Sequence, residues 1–109
     1  ENVEIRFYTT ARGERPVERF IEAQPERLRA AIVDALDQLS RDAPGVSLRL
    51  IRGRLWEIRV SAGTAARIFY CAIEAGETCI LLHAYRKQTQ KAPAREIAVA
   101  ERRLREILE

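Results

Sequence analysis

Trp56-Glu57-Ile58-Arg59-Val60, then Arg67-Ile68-Phe69-Tyr70-Cys71-Ala72-Ile73, then Thr78-Cys79-Ile80-Leu81-Leu82-His83-Ala84-Tyr85 are the three runs that decide the fold. The first alternates cleanly. Trp56, Ile58 and Val60 face one way, and Glu57 and Arg59 the other, which is the period of a strand. The second run is rich in β-forming residues. Ser61 to Thr64, with Gly63, reads as the first turn, and Glu74-Ala75-Gly76-Glu77 as a hairpin turn in which Gly76 takes a positive φ. Three such runs joined by short turns predict an antiparallel meander.

Leu48-Arg49-Leu50-Ile51, just before the meander, is suited to a brief pairing, and Gly53 turns the chain after it. Val3 to Tyr8 alternates apolar and polar, again as a half-buried strand does. Pro16 fits the first position of a helix that carries Val17, Phe20 and Ile21. Gln24-Pro25 marks a break and a second start. Leu28, Ile32, Ala35, Leu36 and Leu39 then form a helical stripe that Ala43-Pro44-Gly45 ends. These two helices read as a hairpin covering the sheet, without chemistry of their own. Arg86 to Ala92 is polar and irregular. Pro93 opens a last helix whose apolar face is Ile97, Ala100, Leu104 and Ile107, and whose many charges read as a solvated surface. The expected fold is α+β in the order β-α-α-β-β-β-α: an antiparallel sheet with an N-terminal helical hairpin and a C-terminal helix, one domain over residues 1–109.

The chain has 109 residues, 47% of them hydrophobic and 32% charged, which suits one soluble globule. No apolar run approaches the roughly 20 residues that cross a bilayer, and Glu1-Asn2-Val3-Glu4 does not resemble a secretion signal, so a cytoplasmic location without a membrane partner is expected. Cys71 and Cys79 read as reduced thiols on neighbouring strands; a disulfide between them needs a register that sets them face to face. With a single histidine they are too few for a closed zinc site. There is no Gly-rich phosphate loop, no metal-ligand spacing and no Gly-x-Ser-x-Gly turn, so no cofactor or metal is expected.

The net charge is only +3, but its distribution is uneven. From Arg49 to Lys91 there are eight cations against three carboxylates, an excess of five. Such a field attracts phosphates, although a solvated surface accounts for it equally well. Arg59 and Arg67 lie on adjacent strands, and Tyr85, Arg86, Lys87 and Lys91 follow at the end of the last one. Strand ends joined by short turns meet in space. A cluster of cations and phenols suits gripping a phosphodiester and stabilising added negative charge on it. Trp56, Phe69 and Tyr85 offer rings for stacking on unpaired bases, though rings in alternating strands are more often core. A lone histidine in an apolar strand, as His83 is, more often packs than reacts.

Leu55-Trp56-Glu57-Ile58-Arg59, Arg67-Ile68-Phe69-Tyr70 and, most specifically, Leu81-Leu82-His83-Ala84-Tyr85-Arg86-Lys87-Gln88-Thr89-Gln90-Lys91-Ala92-Pro93 resemble the signature blocks of phage-derived HigB-type toxins in the RelE/ParE superfamily. Glu96-Ile97 and Ala100 fit the start of that family's last helix, and the resemblance runs over essentially the whole chain. It implies a type II toxin held by a helix-turn-helix antitoxin, oligomeric through that partner, which cleaves mRNA on the ribosome without a metal. It also implies that the open sheet surface is the working face. Arg67 matches the arginine before the family's Phe-Tyr pair and Lys87 the second cation of its Lys-Lys pair. Arg86 stands where the first lysine is usual, and Tyr85 where phenylalanine is common. More distant RelE proteins carry lysines on the strand of Arg59, where this chain has Leu55 and Glu57. The implied site is therefore Arg67 and Lys87 on the phosphate, Tyr85 or His83 for proton transfer, and Arg59, Arg86 and Lys91 on RNA. Within the same superfamily, a gyrase-inhibiting toxin without nuclease activity and an inactive antitoxin-binding remnant are the alternatives.

Overall fold

The structure is a computed structural model that describes residues 2–91 and 93–109. Along the chain lie β1 (Glu4–Phe7), α1 (Pro16–Glu22), α2 (Glu26–Ser40), β2 (Ser47–Arg52), β3 (Leu55–Ala62), β4 (Thr64–Ile73), a 3-10 turn (Glu74–Gly76), β5 (Thr78–Lys87) and α3 (Ala94–Leu108). The expected α+β order holds, and the brief pairing of Leu48 to Ile51 is realised as β2, an edge strand. The helix starts fall where the prolines stand, with Pro16 at the first turn of α1 and Pro93 as N-cap of α3.

One sheet contains all five strands in the order β1-β5-β4-β3-β2. β2 to β5 form the antiparallel meander. β1 differs from expectation: it joins β5 in parallel, with Phe7 opposite Leu81. The helical hairpin makes this possible by carrying the chain from β1 at one edge to β2 at the other. Gly63 closes the β3–β4 turn at φ 79°, a conformation that favours glycine.

Helices cover both faces of the sheet. On one, α1 and α2 pack Val17, Ile21, Leu28 and Ile32 against Ile58, Ile68 and Leu81. On the other, the apolar stripe of α3 packs against Leu55, Phe69, Leu82 and Tyr85. No described helix is long and apolar enough to cross a membrane. A bulge shifts the β4–β5 register: Phe69 pairs with His83, but the next residue, Tyr70, pairs with Leu81. Leu82 and His83 both reach the α3 side as a result, against simple alternation.

The cysteines are free and buried on opposite faces, with Cys71 opposite Ile80 and Cys79 opposite Ala72. That register excludes a disulfide. Burial raises the Cys71 thiol and pushes the Cys79 thiol up to about 11. Both thiols are therefore expected to resist a thiol-specific reagent at pH 7 in the folded protein and to react fully once denatured. Rapid labelling of the native protein would contradict this burial.

Candidate nucleic-acid interface

The strand register builds the site. Arg59 on β3 is the direct cross-strand partner of Arg67 on β4, and Arg67 that of Tyr85 on β5. One row along the chain, Arg49, Glu57, Phe69 and His83 are linked in the same way. Lys87, opposite Ala65, extends the face toward its outer end. All of these lie on the side that carries α3. Two arginines set directly opposite one another in register are a like-charge cross-strand pair, which is unfavourable by itself.

Only part of that face is open. Arg67 and Lys87 line one recess of about 430 Å³ with Gln88, Thr89 and Gln90. The turn after β5 is drawn back over the strand end because Lys87 Nζ donates to the Gln90 carbonyl at 2.8 Å, while Thr89 Oγ1 donates to the Lys91 carbonyl. Arg67 is steadied by a bond from Nη1 to its neighbour's carbonyl, that of Ala66, at 3.0 Å. The recess has no carboxylate in its lining, so nothing there competes with a phosphate for the two cations.

Deeper in, α3 covers what the resemblance implies to be exposed. Phe69, His83 and Tyr85 stack, the Phe69 and Tyr85 centroids lying 5.8 Å apart. The Tyr85 hydroxyl is buried and is the one side-chain polar atom among the described residues that is both fully buried and without a hydrogen-bond partner. Burial raises its pKa, as does the charge of Glu57, and Arg67 opposes both. His83 Nε2 lies 2.6 Å from Glu96 Oε1, and Arg103 Nη1 lies 3.5 Å from Nδ1. A carboxylate accepts, so the Nε2–H of His83 donates to Glu96 in this contact. Both ring nitrogens are thus engaged within the chain.

The remaining cations separate. Arg86 alternates with Lys87 and turns to the helical-hairpin side, where it donates to Gln24 Oε1 at 3.2 Å and Thr64 Oγ1 at 3.0 Å. Trp56 packs on that same side and is not a stacking platform for this site. Arg59 and Lys91 are exposed. Among the described residues no cluster of histidine, cysteine and carboxylates could hold a metal.

Four charges of α3 that the sequence reads as solvated surface have specific partners instead. Glu96 holds His83, and Arg103 donates to the bulge carbonyl of Leu82 at 2.8 Å while lying 4.9 Å above the Tyr8 ring. Glu101 accepts a fork from Arg52, and Glu106 accepts from the Tyr8 hydroxyl at 2.7 Å. The charged sides of α3 are therefore not merely solvated: they fasten the helix over the site. No local signal reveals this, since the partners lie far off in sequence.

The chain is thus a small α+β protein whose sheet carries an arginine row and, at its open end, a lysine. More particularly, the chain belongs to the phage-derived Gp49-like protein family (DUF891), a toxin-like family of the RelE/HigB type, whose model matches residues 19–105. No curated protein matches it closely enough to add to that assignment.

Proposed function

We propose that this chain is the toxin of a toxin–antitoxin pair and that it cuts messenger RNA on the ribosome through attack by the neighbouring 2′-hydroxyl. The observation that carries the reading is the convergence of Arg67 and Lys87 on one open, carboxylate-free recess. Membership of a toxin-like family supports it. In the reaction the 2′-oxygen bonds to phosphorus as its proton leaves to a base. The bond from phosphorus to the 5′-oxygen breaks, and an acid protonates that oxygen. A 2′,3′-cyclic phosphate and a 5′-hydroxyl result, and no external water or metal enters the balance.

Arg67 supplies a permanent charge and a fork that fits two phosphate oxygens as negative charge builds. Lys87 shares the charge and, as the lysine lining the recess, is the nearest group there for moving a proton. Tyr85, next to Arg67, is the acid; its buried hydroxyl requires the segment above it to shift when RNA enters. His83 has no free nitrogen and serves by stacking. Arg59 and Lys91 hold flanking phosphates. Arg86, on the other side, belongs to a different stretch of bound RNA or to the fold. A helix-turn-helix antitoxin would neutralise the protein and set its oligomeric state.

A binding toxin without chemistry is a second reading, favoured by the cover over Tyr85 and the occupied nitrogens of His83. Mapping RNA ends in cells after a pulse of expression separates the two. New ends inside translated frames, absent with Arg67→Ala, are expected. Growth arrest without new RNA ends would sink the nuclease reading and favour the second.

A further inference from the structure

β1 covers only part of β5. Its pairing runs from Thr78 to Leu81, and the Tyr8 N–H adds a last bond to the Leu81 carbonyl. Arg103 takes the next carbonyl, that of Leu82. From His83 to Lys87, β5 then pairs with β4 on one side and with no strand on the other. An open strand edge is a template for another chain, and proteins ordinarily cover or charge it. Here a recess of about 410 Å³ stays open along the edge. Its floor includes His83 and Ala84, one wall is Arg19, Phe20 and Ala23 from α1 and its end, and the other is Arg103 from α3.

We propose that this slot takes an extended acidic segment of a partner protein, which continues the line of β1 as a further strand on β5. Main-chain bonds to the open edge hold the segment, and the two walls select its side chains. Alternate side chains of a strand point to opposite faces. One set meets Phe20 and Ala23 on the hairpin side, which suits apolar residues. The other meets Arg103 on the α3 side, which suits carboxylates. Arg103 is half-buried, and burial disfavours its charge. Neither Arg103 nor Arg19 has an ion pair among the described residues, and Glu14 is the one carboxylate in the lining. A second copy of this chain is a poor occupant. Its edge strand β2 brings Arg49 and Arg52 rather than carboxylates, and Glu4 of β1 is already paired with Arg6 at 3.0 Å. RNA has no peptide N–H and C=O groups with which to extend a sheet. The slot shares no lining residue with the Arg67–Lys87 recess, so the inference does not depend on the nuclease reading.

The test adds a capped peptide of about eight residues, alternating valine and glutamate, to the full 15N-labelled chain. The amide signals of His83 to Lys87 should move and their hydrogen exchange should slow, while the amides of β2 stay unchanged. Two N-methylated forms of the peptide each block every second nitrogen. Only one set of N–H groups faces β5, so one form should lose binding and the other keep it. Arg19→Glu, at an exposed position, should weaken binding about fivefold, as the loss of a surface charge pair does. A peptide with lysine in place of glutamate should not bind the unaltered chain. Absence of binding, equal binding by both methylated forms, equal binding by the lysine peptide, or shifts confined to β2 overturns the proposal. So does a single-stranded oligouridylate that moves the same amides at lower concentration than the peptide, which would make the slot an RNA site.

Discussion

Arg67→Ala is expected to slow RNA cleavage by about 100- to 1000-fold, the usual effect of removing one preorganised donor from a developing oxyanion. Arg67→Lys should recover little of it, because one ammonium cannot replace a fork set by the strand register. Lys87→Ala should cause a loss of similar order. Combined, the two substitutions should cost less than the product of the separate losses, since both side chains act on one phosphate in one recess. The fold should not suffer. Arg67 faces Arg59 directly, so its removal relieves a like-charge contact. The melting temperature is expected to hold or rise while activity disappears. Single-turnover cleavage and thermal unfolding on the same samples check both halves. Full cleavage by Arg67→Ala would remove the arginine row from the mechanism.

Phe69→Ala is expected to be the most damaging core substitution in this region, costing about 3–5 kcal/mol. Phe69 is wholly buried and stacks on Tyr85 and His83 under α3. Its loss leaves a cavity where the central strand, the bulged strand and the last helix meet. For a domain of this size that corresponds to a fall in melting temperature of more than about 12 °C. Phe69→Leu, which keeps most of the volume, should cost less than half as much. The stacking adds a second consequence. Even at temperatures where Phe69→Ala remains folded, Tyr85 loses its neighbour, and cleavage should fall further than the folded fraction accounts for. Denaturant unfolding compared with activity per folded molecule measures the difference. A melting temperature lowered by only a few degrees would mean that α3 does not seal this ring as described.

Two expectations needed correcting by the tertiary structure. The resemblance implied an open sheet surface, but α3 folds over its inner part and leaves the outer end around Arg67 and Lys87 accessible. The sheet was expected to be antiparallel throughout, but β1 lies parallel to β5. Arg86 is a different case. Its alternation with Lys87 in one strand already placed the two on opposite faces, and a stricter use of that period would have set Arg86 apart from the site.

What the sequence determined by itself is local and periodic. The alternation of Trp56 to Val60, the turn glycines, the prolines at helix starts and the stripe of Ile97, Ala100, Leu104 and Ile107 each act within a few residues, so each was legible. The pairing of Arg59 with Arg67 was nearly so, because a short turn fixes register. Only the tertiary structure decided which face α3 would cover, that Leu82 would bulge, that Glu57 would be buried, and that Glu96 and Arg103 would meet His83. These depend on contacts between residues distant along the chain, which side-chain volume and the packing of a whole layer select and no local pattern encodes.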